Sequence, residues 1–242
     1  MKAKTTDTSR STKYLALYNK LDSFMKEKLG RDDGFSHTRM INELSRRDIL
    51  FRRYESELKS FARLRNAIVH NRYPDKAVPI AEPHKYVVTR YEELINQVFN
   101  PPKALSIAIN RRAIYTTTLD ANAIDVMKTM NENRYTHVPV LKEDKMYGVF
   151  SENTVFSYIA ENKIFIEEHA VISDFIDFIP IEKHKGEKFL FIERDTLVSD
   201  VEKMFRIEKK RHCRLAVVYI TENGSPDEEL LGMITSWDIA GV

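Results

Sequence analysis

Two stretches of this chain share one pattern: an apolar strand, then glycine, two apolar residues, a hydroxyl residue, and a polar residue three positions later. The first is Gly148-Val149-Phe150-Ser151-Glu152-Asn153-Thr154, behind Thr136-His137-Val138-Pro139-Val140-Leu141. The second is Gly232-Met233-Ile234-Thr235-Ser236-Trp237-Asp238, behind Cys213-Arg214-Leu215-Ala216-Val217-Val218. Each copy therefore has to build the same small unit. Leu230 to Ile234 reads as a buried strand that runs into a helix at Thr235, a candidate N-cap. A helix N-terminus offers free N–H groups and partial positive charge, which suits an anion. Asp238 follows one turn later, and a carboxylate accepts two hydroxyl hydrogen bonds at once. Glycine, hydroxyl and carboxylate at this spacing suit a ribose-phosphate.

This arrangement resembles the nucleotide motif of CBS domains, and two copies resemble a tandem CBS pair over residues 104–242, the first copy about 104–165 and the second about 170–242. The resemblance implies an α/β fold with a nucleotide in a cleft between the copies. Carried over residue by residue, Thr235, Ser236 and Asp238 of the second copy meet Thr136, His137 and the segment Ser106 to Ala113 of the first. Arg111 and Arg112 there add positive charge for phosphate. A second site pairs Ser151 with Cys213 and Arg214. The run Cys213-Arg214-Leu215-Ala216 resembles one in adenylate-sensing kinase subunits whose arginine contacts phosphate. Thr154 replaces the ribose-binding aspartate at that site, so its phosphate contacts survive and its ribose contact is lost. The basic run Lys209-Lys210-Arg211-His212 just before it reads as a phosphate contact or a solvated helix end. The chain ends at Val242, so the last helix of the second copy is expected to be short, leaving a face for a partner.

The first 100 residues are of another kind. Leu17, Leu21, Phe24 and Met25 keep helical spacing in a helix opened by Ser11 or Thr12 and ended by Gly30 and the Asp32-Asp33-Gly34 turn. Ser36 or Thr38 opens a second helix. Ile49, Leu50, Tyr54, Leu58, Phe61, Leu64 and Ile68 predict one long helix over 47–69. Pro74, Pro79 and Pro83 break the chain into a loop. A fourth helix spans about 84–98, and Asn100-Pro101-Pro102 reads as a domain boundary. The expected fold class is α+β overall: an all-α bundle over 1–100, then the α/β pair.

At the end of the long helix stands Arg65-Asn66-Ala67-Ile68-Val69-His70-Asn71-Arg72-Tyr73. Arginine, a polar residue directly after it, and histidine beyond four intervening residues resemble the motif of HEPN domains. These are small helical bundles, many of them metal-independent ribonucleases and others scaffolds. The resemblance assigns Arg65, Asn66 and His70 as catalytic. Histidine near neutral pKa can move the proton of a ribose 2′-hydroxyl, and arginine can stabilise phosphate charge. Five residues of regular helix turn about 140°, so the pair does not share one face. In HEPN proteins a two-fold dimer sets two such pairs around one cleft, which implies a homodimer. The neighbouring Arg46, Arg47, Arg52, Arg53, Lys59, Arg63 and Arg72 read as a phosphate-tracking surface with Tyr54 and Tyr73 for stacking, or as a charged helix face interleaved with Glu55 and Glu57.

Composition narrows the remaining classes. The net charge of +2 is too small to mark a nucleic-acid binder by itself. The single cysteine, Cys213, excludes an intrachain disulfide and a cysteine-rich zinc site. No metal-ligand spacing stands out, and no apolar run approaches the length of a membrane span. The expectation is a cytoplasmic, homodimeric protein that needs no cofactor. Its pair senses an adenine nucleotide, AMP or ATP, and its helical domain is an endoribonuclease acting on RNA under that control. The alternative is a non-enzymatic signalling module whose helical domain only dimerises or docks a partner.

Overall fold

The computed structural model describes residues 9–30, 34–70, 81–143, 145–162, 165–208 and 213–240, with His70 and Glu208 described by their backbone alone. The chain separates into two compact units, Met1–Pro101 and Pro102–Val242. It is mixed in class, helical in the first unit and alternating strand with helix in the second.

In the first unit α1 spans Arg10–Leu29 and starts two residues earlier than expected. Ser9 is the cap, its hydroxyl accepting from the Thr12 N–H at 3.2 Å, while Ser11 is buried and bonds to Glu82. Gly30 ends the helix at φ 58°, a left-handed position that suits glycine. Ser36 caps α2, His37–Arg47. The single helix expected over 47–69 is instead two, α3 (Ile49–Arg53) and α4 (Glu55–His70). Asp48 is extended and takes the N–H groups of Leu50 and Phe51 at 2.9 and 3.3 Å, which starts a new helix there. Tyr54, at φ −102° and ψ 11°, interrupts the chain again. Apolar spacing runs through both breaks because all three helices face one core. The last helix, α5, is Lys85–Phe99. Tyr14, Leu21, Met25, Met40, Ile41, Leu58, Tyr91 and Leu94 form the buried centre. Asp32, Asp33, Pro74 and Pro79 lie outside the described residues, as do Asn71, Arg72 and Tyr73 of the HEPN-like stretch.

The second unit contains the elements β1 (Ile109–Asn110), β2 (Thr117–Thr118), α6 (Ala123–Asn133), β3 (His137–Lys142), β4 (Lys145–Ser151) and α7 (Glu152–Asn162). Then come β5 (Glu187–Glu193), α8 (Val198–Glu208), β6 (Arg214–Thr221), β7 (Gly232–Thr235) and α9 (Ser236–Ala240). Strand β2 has only two residues, and residues 111–113 ahead of it form a 3-10 turn, started by Asn110, whose Oδ1 accepts from the Arg112 N–H at 3.2 Å.

The repeat is visible in the sheets. Strand β2 pairs in parallel with β3, and β3 antiparallel with β4; β5 pairs in parallel with β6, and β6 antiparallel with β7. One strand crosses between the copies. Ile109 and Asn110 of β1 pair antiparallel with Met233 and Gly232 of β7, so the segment that opens the first copy completes the sheet of the second. That crossing brings the chain from Ile109 to Tyr115 alongside the Thr235 motif.

The motif glycines are needed for close approach. A Cβ on Gly148 would stand 2.3 Å from the carbonyl oxygen of Ile179, and that carbonyl already accepts from the Val149 N–H at 3.0 Å. Backbone cannot swing aside as a side chain can. Gly148→Ala is therefore expected to cost at least about 1–3 kcal/mol, read as a lowered urea midpoint at unchanged slope.

Candidate functional site

A cleft of about 400 Å³ lies against the second-copy motif, within the range of small-molecule sites, roughly 300–1,000 Å³. Its walls come from four places: Ile109 of β1 with Ala113, Ile114 and Tyr115 beyond it, Arg134 to His137 at the start of β3, Val217 on β6, and Met233, Thr235 and Trp237 at the end of β7. Tyr115 and Tyr135 line it with rings stacked at 6.0 Å and 20°. Arg134 reaches the lining because α6 ends on it in the left-handed conformation, φ 59°.

Thr235 and Asp238 form a closed turn. One carboxylate oxygen, Oδ2, accepts from both the N–H and the hydroxyl of Thr235, each at 2.7 Å. The Thr235 hydroxyl in turn accepts from the Trp237 N–H at 3.3 Å. Among the described residues both bonds to Asp238 fall on Oδ2 and none on Oδ1. Thr235 is the last residue of β7, and α9 behind it has only five residues. The polarity of the site thus rests on this hydroxyl–carboxylate pair more than on a helix dipole. Ser236 is exposed on the first turn of α9.

Thr136 and His137 meet the cleft from the first copy. His137 Nδ1 lies 2.7 Å from the Thr136 hydroxyl, and Nε2 lies 3.0 Å from Glu187 Oε1. With the ring proton on Nε2, both contacts are satisfied: the ring donates to Glu187 and accepts from Thr136. Arg112 is exposed on the 3-10 turn and is not among the lining residues.

Ser151 and Arg214 converge on a different centre, Glu187. The Ser151 hydroxyl donates to Glu187 Oε2 at 3.1 Å. His184 Nδ1 is 3.5 Å from Oε2, and Arg214 Nη2 is 3.7 Å from Oε1. Only 5% of the Glu187 side chain is exposed. Burial pushes its carboxyl upward, but hydrogen bonds from His137, His184 and Ser151 outweigh that and hold it well below the usual carboxylate range. Thr154, in the place of the aspartate, is buried and caps Ser151: its hydroxyl accepts from the Ser151 N–H at 3.1 Å. The run Lys209 to His212 lies outside the described residues.

In the helical unit Arg65 and Asn66 sit in α4, and Arg65 Nη1 donates to Asn66 Oδ1 at 3.2 Å. The Arg65 guanidinium stands over the Tyr18 ring at 5.1 Å, whose own ring stacks on His37 at 4.0 Å. His70 is the last residue of α4. Its side chain is outside the described set.

Reading the sequence alone misses Tyr115, Arg134, Tyr135, Met233 and Trp237 in the cleft, and Glu187 and His184 at the other centre. Some signal was present: Arg134-Tyr135 directly precedes Thr136, and Trp237 lies inside the motif. Glu187 gave none, as a glutamate opening a strand reads as an exposed end. Among the described residues no group of three His, Cys, Asp or Glu is placed to hold a metal ion. No helix among them is long and apolar enough to cross a membrane.

Strand order, motif and cleft together define a paired α/β module with a cleft bordered by residues of both copies. The CBS domain model matches residues 106–161 and 186–242, so residues 106–242 hold a CBS domain pair. No curated protein matches the chain. Among solved structures it is similar to CBSX2 in complex with AMP, at 16% identity and a TM-score of 0.43, covering 58% of this chain and 94% of that one. It is similar to CbpB in complex with c-di-AMP, at 17% identity and 0.44, covering 60% and 86%. A third is the CBS domain of a transporter from Clostridium difficile 630, at 14% identity and 0.40, covering 60% and 95%.

Proposed function

We propose that this protein is a regulator whose CBS pair binds an adenine nucleotide in the Thr235–Asp238 cleft. One observation carries the reading: Thr235, the first-copy residues Thr136 and His137, and the stacked Tyr115 and Tyr135 all border one cleft of nucleotide size, and Asp238 stands just behind its lining, bonded to Thr235. In this reading Asp238 takes the ribose hydroxyls, Thr235, Thr136 and Ser236 face the phosphate side, and the two tyrosines border the base. Arg134 supplies the cation that the sequence reading gave to Arg112.

Calorimetric titration with AMP, ATP and c-di-AMP tests this; AMP and c-di-AMP are the ligands of the two similar complexes. Saturable binding to the native chain is expected, weakened about 10- to 150-fold in Asp238→Ala, the worth of a hydrogen bond to a charged group at roughly 1.5–3 kcal/mol. Unchanged affinity in the mutant would remove Asp238 from the site.

The second half of the reading is a HEPN-like helical domain acting as a metal-independent endoribonuclease in a homodimer, gated by the nucleotide. It is supported by Arg65, Asn66 and His70 sharing α4 and by the Arg65 guanidinium held over Tyr18. His70 would move the proton and Arg65 would hold the phosphate. His70→Ala is expected to abolish RNA cleavage with the helical circular-dichroism signal retained. A wild-type dimer that cleaves no RNA, with or without nucleotide, would leave the helical domain a docking or dimerisation unit.

A further inference from the structure

The two copies handle the same hydroxyl differently. In the second, Thr235 donates to Asp238, three residues along its own turn. In the first, Thr154 holds that position, and the Ser151 hydroxyl donates to Glu187, which arrives on β5 from the other copy. A carboxylate is restored to the first-copy motif, but from the other copy and not from its own turn.

The strand register shows where Glu187 comes from. Thr117 is paired with Val140, and Val140 with Gly148; Ile192 is paired with Ile220, and Ile220 with Gly232. Thr117 and Ile192 are thus matching positions. Five residues before them stand Arg112 in the first copy and Glu187 in the second. The two differ in place as well as in charge: Glu187 is buried on β5 opposite Arg214, across a register shift between Lys188 and Phe189, whereas Arg112 is exposed on the 3-10 turn before β2.

Around that carboxylate stand the groups a phosphate would need: the Ser151 hydroxyl at 3.1 Å, His137 Nε2 at 3.0 Å, His184 Nδ1 at 3.5 Å and Arg214 Nη2 at 3.7 Å. Ser151 is fully buried and Glu187 nearly so. An anion entering here would have to displace one tethered to the protein at high effective concentration, and would be repelled by it until it did.

We infer that Glu187 is the built-in anionic ligand of the first-copy site, so that the CBS pair takes one nucleotide per chain. The stoichiometry rests on the nucleotide reading of the Thr235 cleft; the filling of the Ser151 site by Glu187 does not.

Two measurements on the full chain test this. Titration of the wild type with AMP is expected to give one site per chain. Two sites per chain would overturn the inference, whereas no binding at all would sink the nucleotide reading and leave Glu187 to the second measurement. That is the thermal midpoint of wild type and Glu187→Ala as inorganic phosphate is raised at constant ionic strength. Phosphate binding in place of the lost carboxylate raises the midpoint of Glu187→Ala by more than that of wild type, whose Thr235 cleft is common to both, and the excess is expected to vanish in Glu187→Ala/Arg214→Ala. A midpoint that moves equally in wild type and variant, or in neither, would overturn the inference. Should Glu187→Ala fail to fold, Glu187→Ser, which restores a small polar group, takes its place under the same expectations.

Discussion

Tyr91→Ala is expected to destabilise the helical unit by about 3–5 kcal/mol, while Tyr91→Phe is expected to stabilise it by about 1 kcal/mol. Tyr91 is fully buried, with ring centroids 5.1 Å from Tyr14 and 4.4 Å from Phe61. Truncation removes the centre of that aromatic cluster and leaves a cavity. The hydroxyl is another matter, since it is buried and has no hydrogen-bond partner among the described residues. Burial pushes its pKa far up. Removing it ends a desolvation cost and breaks no bond. Tyr14 is the control, because its hydroxyl donates to the Phe61 carbonyl at 2.7 Å, so Tyr14→Phe should lose about 1 kcal/mol. Urea-dependent amide exchange in α5 reads this unit alone. A destabilised Tyr91→Phe would show that the hydroxyl contributes a bond after all.

The second large effect concerns Glu187. At pH 7 Glu187→Ala is expected to cost about 3–5 kcal/mol, because one partner of a buried charged network is removed and its donors stay buried. The pH dependence has a definite sign. The carboxyl is held below its ordinary value of 4.5 in the folded chain. The unfolded state therefore takes up a proton first, so the stabilisation is complete above about pH 4.5 and is lost as pH falls through the folded value. Wild type should lose stability steeply on acidification below that point. Glu187→Gln, which cannot titrate, should show a shallower fall over the same range. Chemical denaturation at a series of pH values measures both slopes, and equal slopes would mean that the Glu187 network contributes nothing to the folded state.

Much of the architecture was legible before any coordinates. The repeated strand–glycine–hydroxyl pattern located β3, β4, β6 and β7, and apolar spacing located α1, α2 and α5. The errors share one cause. Asp48 and Tyr54 split the predicted third helix through a side-chain cap and a backbone angle, and neither disturbs hydrophobic periodicity. The 3-10 turn at 111–113, also invisible to periodicity, has the same kind of origin, an Asn110 side chain bonding to local backbone.

The candidate site divides likewise. The sequence by itself determined the second-copy motif, because Thr235 and Asp238 are three residues apart and close one turn wherever a strand runs into a helix. It also determined that Thr154 removes a carboxylate from the first copy. Only the tertiary structure decided which distant groups meet those motifs. Pairing of β1 with β7 places Tyr115 beside Thr235, and a left-handed turn at Arg134 carries that residue into the cleft. Pairing of β5 with β6 delivers Glu187 to Ser151, His137 and His184. A local motif is specified by neighbours along the chain. The partner that fills or completes it is specified by strand register, which depends on how whole sheets bury their apolar faces and leaves no mark at the residue itself.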